Sequence, residues 1–168
     1  ATISNGDMAT LAGISESGHN LSITITDTTV AAAALNTLDG KTDTTINASN
    51  ITTLTGAAAD LNTAYASSGI SGLNNEAVTL SDTSLSASVL NTLDSNTSGT
   101  INASSIDTLS GAAADLNTAY TSAGISGLNN EAIPLTDPSL TASVLNTLDG
   151  RTSGTINASS INTLAGTA

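Results

Sequence analysis

The sequence predicts an α/β repeat protein, a solenoid of about six short strand–helix coils arranged as 55-residue double units. Three observations predict it. The stretch Leu35-Asn36-Thr37-Leu38-Asp39 returns as Leu90–Asp94 and again as Leu145–Asp149, at the same interval each time. Gly56–Ala77 and Gly111–Ala132 differ at two of 22 positions, and Val78–Ala113 and Ile133–Ala168 agree at 26 of 36. Within a unit, Leu-Asn-Thr recurs near the midpoint, as at Leu90 and Leu116. The elementary step is therefore about 26–29 residues, a length typical of stacked repeats. A right-handed parallel β-solenoid is the alternative architecture.

The copies divide the chain into a degenerate N-terminal repeat at 1–22, repeat 1 at 23–77, repeat 2 at 78–132 and a partial repeat 3 at 133–168, all one continuous solenoid. In the worn first copy Gly13-Ile14-Ser15 matches Gly69-Ile70-Ser71, and Asp7-Met8 is aligned with Asp60-Leu61.

Each half-unit reads as a strand followed by a helix. Val78-Thr79-Leu80 alternates apolar and polar residues, as a half-buried strand does. Ser81-Asp82-Thr83 then offers a helix N-cap, and Pro138 after Asp137 fits a first helical position. Leu85, Val89, Leu90 and Leu93 form one apolar stripe on a helix of about 11 residues. Gly40 and Gly150 sit where that helix should end. In the second half-unit Thr100–Ile106 is extended, and Thr108 or Ser110 caps a helix carrying Leu109, Ala113, Leu116 and Tyr120. Ser122–Glu131 is a Gly- and Asn-rich loop leading to a strand at Ile133. Helices this short are marginal alone. Stacking buries their apolar faces in a continuous stripe. Strands stack at about 4.8 Å and helices at about 8–10 Å, so the stack must curve or twist.

Composition narrows the function. The net charge is −12, with Lys41 and Arg151 the two strong cations. Nucleic acid would be repelled, and there is no basic stripe to release counterions; cations are the natural small partners. With no cysteine, disulfides, thiolate nucleophiles and Cys-ligated zinc are excluded. No apolar run approaches the roughly 18 residues of a membrane span, so no membrane insertion is expected. No basic, apolar signal peptide opens the chain. The start at Ala1 is expected of a processed product or a fragment.

Candidate sites are few. Asp94-Ser95-Asn96-Thr97-Ser98-Gly99 has the D-x-N-x-S-G opening of a calcium loop, making Asp94, Asn96 and Ser98 candidate calcium ligands. Against this, Asn96 becomes Lys41 and Arg151 in the other copies, and the residue in place of a bidentate Glu is Ser105. The alternative is a turn whose Asp bonds local amides. Asn36, Asn62, Asn91, Asn117 and Asn146 recur in every full helix although Asn is a poor helix former. A structural ladder of side-chain amides between coils accounts for them, with a ligand-binding row as the alternative. Asn47, Asn102 and Asn157 begin N-A-S sequons and Asn50 begins N-I-T. Thr24, Thr26, Thr79 and Thr136 are the kind of residues that bind ice, but no long Thr-x-Thr ladder is present. His19, the single histidine, reads as part of a turn. Glu16, Glu76 and Glu131 fall in loops without a carboxylate pair. No nucleophile elbow, P-loop or dinucleotide fingerprint occurs. No catalytic residue and no cofactor other than calcium is expected.

The pattern V/I-T-L-S-D-T-x-L-x-A-S-V-L-N-T-L-D-G, followed by T-I-N-A-S-x-I-x-T-L-x-G-A-A-A-D-L-N-T-A-Y, resembles tandem repeats of very large surface proteins of marine cyanobacteria and related bacteria. Some are associated with adhesion or with swimming without flagella. The resemblance covers nearly all of Ile23–Ala168. It implies an extracellular structural or adhesive role and carries over no catalytic residue. The expectation is a spacer or filament segment that is not an enzyme, self-associating end to end and meeting surface glycans or cations. A calcium-, glycan- or ice-binding surface module is the alternative. The chain stops at Gly166-Thr167-Ala168, in phase with Gly111-Ala112-Ala113, which predicts either a fragment of a longer array or a subunit whose open edges favour head-to-tail addition.

Overall fold

The computed structural model describes residue 3 and residues 6–166. It is an α/β structure in which short parallel strands alternate with helices, an arrangement compatible with stacked repeats. The helices are α1 (Met8–Leu11), α2 (Ala32–Asp39), α3 (Ala58–Ala66), α4 (Ala87–Asn96), α5 (Ala113–Thr121) and α6 (Ala142–Asp149). They lie in one row, each packed on the next. Thr167 and Ala168, on which the expected end phase partly rests, lie outside the described residues, as do residues 1, 2, 4 and 5.

The strands stack in parallel columns. Val30, Leu54, Val78, Ile101 and Ile125 lie over one another at almost constant sequence intervals, the rung from Val78 to Ile101 being one residue shorter than the others. A second column runs from Leu85 to Leu109, then to Ile133 and Ile156. A third begins at Leu140 and reaches Leu164.

The helix row keeps a different step. Asn36, Asn62, Asn91, Asn117 and Asn146 recur at alternately shorter and longer intervals, every one longer than a strand rung. Each column therefore slides along the helix row. The first begins in Thr29–Ala31, directly before α2, and ends in Ile125–Ser126, just after α5. A sideways step at each pass is a way for helices that need about 8–10 Å to stack beside strands that need about 4.8 Å per rung. The step expected from the sequence describes the helices only.

Several local assignments are corrected. Ser81-Asp82-Thr83 does not cap the following helix, because a strand, Ser84–Ser86, intervenes and α4 starts at Ala87. Leu85 belongs to that strand, and the helix buries Ala87, Leu90 and Leu93 instead. Pro138 precedes the strand Ser139–Thr141, and its carbonyl accepts from Asn162 and Thr163 one pass on. Thr108 and Ser110 are strand residues, and α5 begins only at Ala113. In the first copy Met8 aligns with Ala58 rather than with Leu61, since the N–H groups of both are held by an aspartate of the next pass.

The core lies between helix row and columns. Leu35, Leu61, Leu90 and Leu116 face Leu54, Val78, Ile101 and Leu109, all buried. With no Phe or Trp in the chain, the core is aliphatic. Ala32, Ala58, Ala87 and Ala113 open their helices fully buried, where a larger side chain would hold the helix off the columns.

Candidate functional site

The polar chemistry gathers where one pass meets the next. Each of α3 and α5 ends near a tyrosine, and each tyrosine precedes a glutamate by 11 residues. Glu76 and Glu131 are each 2% exposed, the two buried charged side chains among the described residues. The Tyr65 hydroxyl donates to Glu76 Oε2 at 3.1 Å, and Asn74 N–H donates to both carboxylate oxygens at 3.0 Å. Tyr120 donates to Glu131 Oε2 at 2.7 Å, and Asn129 N–H lies 2.8 and 3.1 Å from Oε1 and Oε2. Donors of this kind compensate a carboxylate taken out of water.

The loop so closed is tied to the next pass. Asn74 O accepts from Ser98 N at 2.8 Å and from the Thr97 hydroxyl at 3.2 Å. Asn129 O accepts from Ser153 N at 2.8 Å and from the Thr152 hydroxyl at 3.0 Å. Burial pushes the Tyr65 hydroxyl well above the ordinary tyrosine range; the nearby Thr97 hydroxyl opposes this and the Glu76 charge adds to it. Burial, then the bond to Glu131, does the same to Tyr120. Two donors on the carboxylate and a tyrosine that holds its proton fasten the helix end to the loop.

The first copy supports this assignment. Its α1 has four residues and no tyrosine. There the position of Glu76 is taken by Leu21, and that of Gly99 by Thr44. The three features change together, as parts of one contact.

A second set of contacts holds the helices. α3 and α5 have Ala57 and Ala112 at their N-cap positions, and neither supplies a side-chain cap. Asp82 Oδ2 accepts from Ala58 N at 2.7 Å, Asp137 from Ala113 N at 2.8 Å and Asp27 from Met8 N at 2.7 Å. The aspartates cap helices of the preceding pass.

The recurring asparagines also bond between passes. Asn36 Nδ2 donates to Asp60 O and Asn91 Nδ2 to Asp115 O, both at 2.9 Å, and Asn62 Nδ2 donates to Val89 O at 3.4 Å. The oxygens of Asn36, Asn91 and Asn117 are buried without a partner. Asn146, on the last helix of the row, is exposed.

The candidate calcium ligands are not brought together by these bonds. Asp94 Oδ2 accepts from the Ser122 hydroxyl at 2.7 Å, Asn96 donates to Asn62 Oδ1 at 2.9 Å, and the Ser98 hydroxyl donates to Asn74 O at 3.2 Å. Each points to a different neighbour. Asp39 and Ser67 repeat the first bond at 2.6 Å. Among the described residues no three His, Cys, Asp or Glu side chains cluster as metal ligands.

Asn47, Asn102 and Asn157 are exposed, each accepting the N–H of the serine two residues on at 3.0 Å. Asn50 differs, since its Nδ2 donates to Ile25 O at 2.8 Å. Thr24, Thr26, Thr79 and Thr136 are exposed, but Thr24 stands beside Asn47, and Thr79 lies between Thr55 and Asn102. The rows are mixed. His19 pairs through its backbone with Thr42.

Sequence reasoning missed the Tyr–Glu fastening and assigned the aspartates to the wrong helix. The available signal was the identical Tyr-to-Glu spacing in both copies, using the only two tyrosines of the chain. No described helix is long and apolar enough to cross a membrane. No protein-family profile, curated protein or solved structure matches the chain.

Proposed function

We propose that this chain is a non-catalytic structural module, a solenoid of about six strand–helix coils serving as an extracellular or cell-surface spacer or adhesive segment. Its units are 1–22, 23–77, 78–132 and 133–168. One observation carries the reading: the distinctive polar side chains bond to a neighbouring pass rather than converging on a common cavity. Asp82 caps the helix before it, Asn91 bonds the helix after it, and Glu76 fastens a loop whose carbonyl receives the following pass. Polar chemistry used between neighbours favours a structural frame, in which stability is a sum of unit and interface terms. The likeness to repeats of giant bacterial surface proteins agrees with this role, and the net charge of −12 suits an exposed, soluble surface.

Deleting residues 78–132 tests the proposal. The cut joins Ala77 to Ile133, which has the same phase as Val78. A spacer of this kind should refold cooperatively, and its long dimension in small-angle scattering should shrink by one repeat period. Loss of the fold would overturn the modular reading.

A further inference from the structure

The N-A-S sequons are not used up by the fold, as the interior copies at Asn47 and Asn102 show. Each asparagine ends a strand and is exposed, while the alanine after it is buried and the serine beyond is exposed again. Asn47 Oδ1 accepts from Ser49 N, and Asn102 Oδ1 from Ser104 N, both at 3.0 Å. That bond engages the oxygen alone. An aspartate would accept it equally well, and aspartates serve as acceptors elsewhere, at Asp82 and Asp137. The amide adds two N–H donors on Nδ2. Among the described residues neither Nδ2 nor the hydroxyls of Ser49 and Ser104 make a hydrogen bond.

The neighbouring passes leave both amides open. Asn47 lies between Thr24 and Ser71, and Asn102 between Thr79 and Ser126, all four small and exposed. Ser71 and Ser126 turn their hydroxyls to Ile46 O and Ile101 O at 3.0 Å, not to the amide. Asn157 repeats the same bond to Ser159 N at 3.0 Å, beside Pro134.

Asn50 is the contrast. Asn50-Ile51-Thr52 is also a sequon, yet its Nδ2 donates to Ile25 O at 2.8 Å. Ser105 and Ser160 replace it in the later copies and donate to Leu80 O and Leu135 O at 3.0 and 2.8 Å. This position ties one pass to another, and its nitrogen is committed.

We propose that Asn47, Asn102 and Asn157 are acceptor sites for N-linked glycans and that Asn50, in the same motif, is not. The co-substrate is an oligosaccharide carried on a polyprenyl pyrophosphate, and a separate transferase catalyses the step. The asparagine Nδ2 attacks the anomeric carbon of the first sugar. A nitrogen–carbon bond forms while the bond from that carbon to the pyrophosphate oxygen breaks. The nitrogen gives up one proton, and the lipid pyrophosphate leaves with the bonding pair. The serine hydroxyl two residues on is the second group the motif requires, and it too is free. Such sites rest on the structural-module reading only for its extracellular placement. They would set one glycan on each 55-residue unit.

Glycan transfer to the folded, full chain tests it. The transferase used is one first shown to modify unstructured peptides carrying Asn47, Asn102 and, separately, Asn50, with a lipid-pyrophosphate oligosaccharide as donor. Glycopeptide mass spectrometry should find sugar on Asn47, Asn102 and Asn157. Asn50 should react at least about tenfold more slowly than in its peptide, because its bond to Ile25 O must open first. Ser104→Ala should abolish transfer to Asn102 while Asn47 still reacts, and its melting temperature should match wild type, since the turn uses only the Ser104 N–H. Asn102→Asp keeps the accepting oxygen, so it should also melt like wild type and carry one glycan fewer. An Asn47 or Asn102 that stays unmodified in the folded chain, or an Asn50 that reacts as fast as Asn47, would overturn the assignment. So would an Asn102→Asp variant that melts well below wild type, which would mean that the fold spends the amide nitrogen. Transfer is scored on the intact chain, so its failure leaves the modular reading standing, and the chain lacking 78–132 tests that reading by itself.

Discussion

The Asp82 carboxylate accepts the backbone N–H of Ala58 at 2.7 Å, from one pass back along the chain. A capping carboxylate usually belongs to the residue that begins the helix. Here the helix begins at alanine, fully buried, and the cap comes from the neighbouring pass. Helix formation and stacking are thereby coupled. Asp82→Ala should cost about 1–2 kcal/mol, the usual value of a lost cap with its charge at a helix N-terminus. Asp82→Asn should cost less because an acceptor remains. Ser81→Ala, at an exposed neighbour, should be near neutral. Urea midpoints of the three variants decide it, and equal losses for Asp82→Ala and Ser81→Ala would reject the cap.

The tyrosine–glutamate fastenings make stability fall at high pH. Burial raises both tyrosine hydroxyls above the ordinary value of 10.0, so the folded state holds protons that the unfolded chain releases. A group with a raised folded pKa contributes its full stability below the unfolded value, and loses it as pH climbs from there toward the folded one. Thermal melting should be flat in this respect below the ordinary tyrosine value and decline beyond it. The double variant Tyr65→Phe, Tyr120→Phe should show a weaker decline. Tyrosinate absorbance reads the same event, since these are the only tyrosines and there is no tryptophan. It should rise together with unfolding rather than before it.

Glycines at pass-to-pass contacts are not equivalent to glycines at helix ends. A Cβ on Gly99 would lie 2.0 Å from Glu76 O, and one on Gly154 1.9 Å from Glu131 O. The obstacle is backbone and cannot swing aside. Gly40 has ordinary room, its nearest atom 3.7 Å away, and its φ is −67°. Gly99→Ala should destabilise by about 3 kcal/mol or more, at the upper end for forced overpacking. Gly40→Ala should be neutral or stabilising by up to about 1 kcal/mol through the unfolded chain. Denaturant unfolding of the pair separates the two cases.

The period, the alternation of strand and helix and much of the aliphatic core were legible in the sequence, because repetition and apolar spacing are local signals. Val78-Thr79-Leu80 and the Leu90–Leu93 helix lie where that reasoning put them. The partners that Asp82 and Glu76 find in the fold were not legible. Asp82 looks like a cap for the helix that follows, and only the strand at Ser84–Ser86 redirects it to Ala58. Glu76 looks like a loop residue until the loop folds back on Tyr65. The shorter strand step was hidden as well, since the copies preserve the period of the double unit and say nothing of how columns slide between helices.

The Asn91 amide supplies the last prediction. Its nitrogen donates to Asp115 O at 2.9 Å while its oxygen is buried without a partner. The residue is needed as a donor only. Asn91→Asp keeps size and shape but, when ionised, sets a carboxylate against a carbonyl oxygen with no donor between them. It should cost about 2–3 kcal/mol near neutral pH, the range for a buried polar group left unsatisfied. Asn91→Leu removes the bond and the orphaned oxygen together and should cost about 1 kcal/mol or less. Acid should distinguish the two further. Below the ordinary aspartate value of about 3.9 the new side chain carries a hydroxyl that can donate. The gap between Asn91→Asp and wild type should therefore narrow as pH falls, while the gap for Asn91→Leu stays constant. Urea unfolding at neutral and acid pH measures both gaps. An Asn91→Asp variant as stable as wild type at neutral pH would mean that the amide is not the donor that ties α4 to α5.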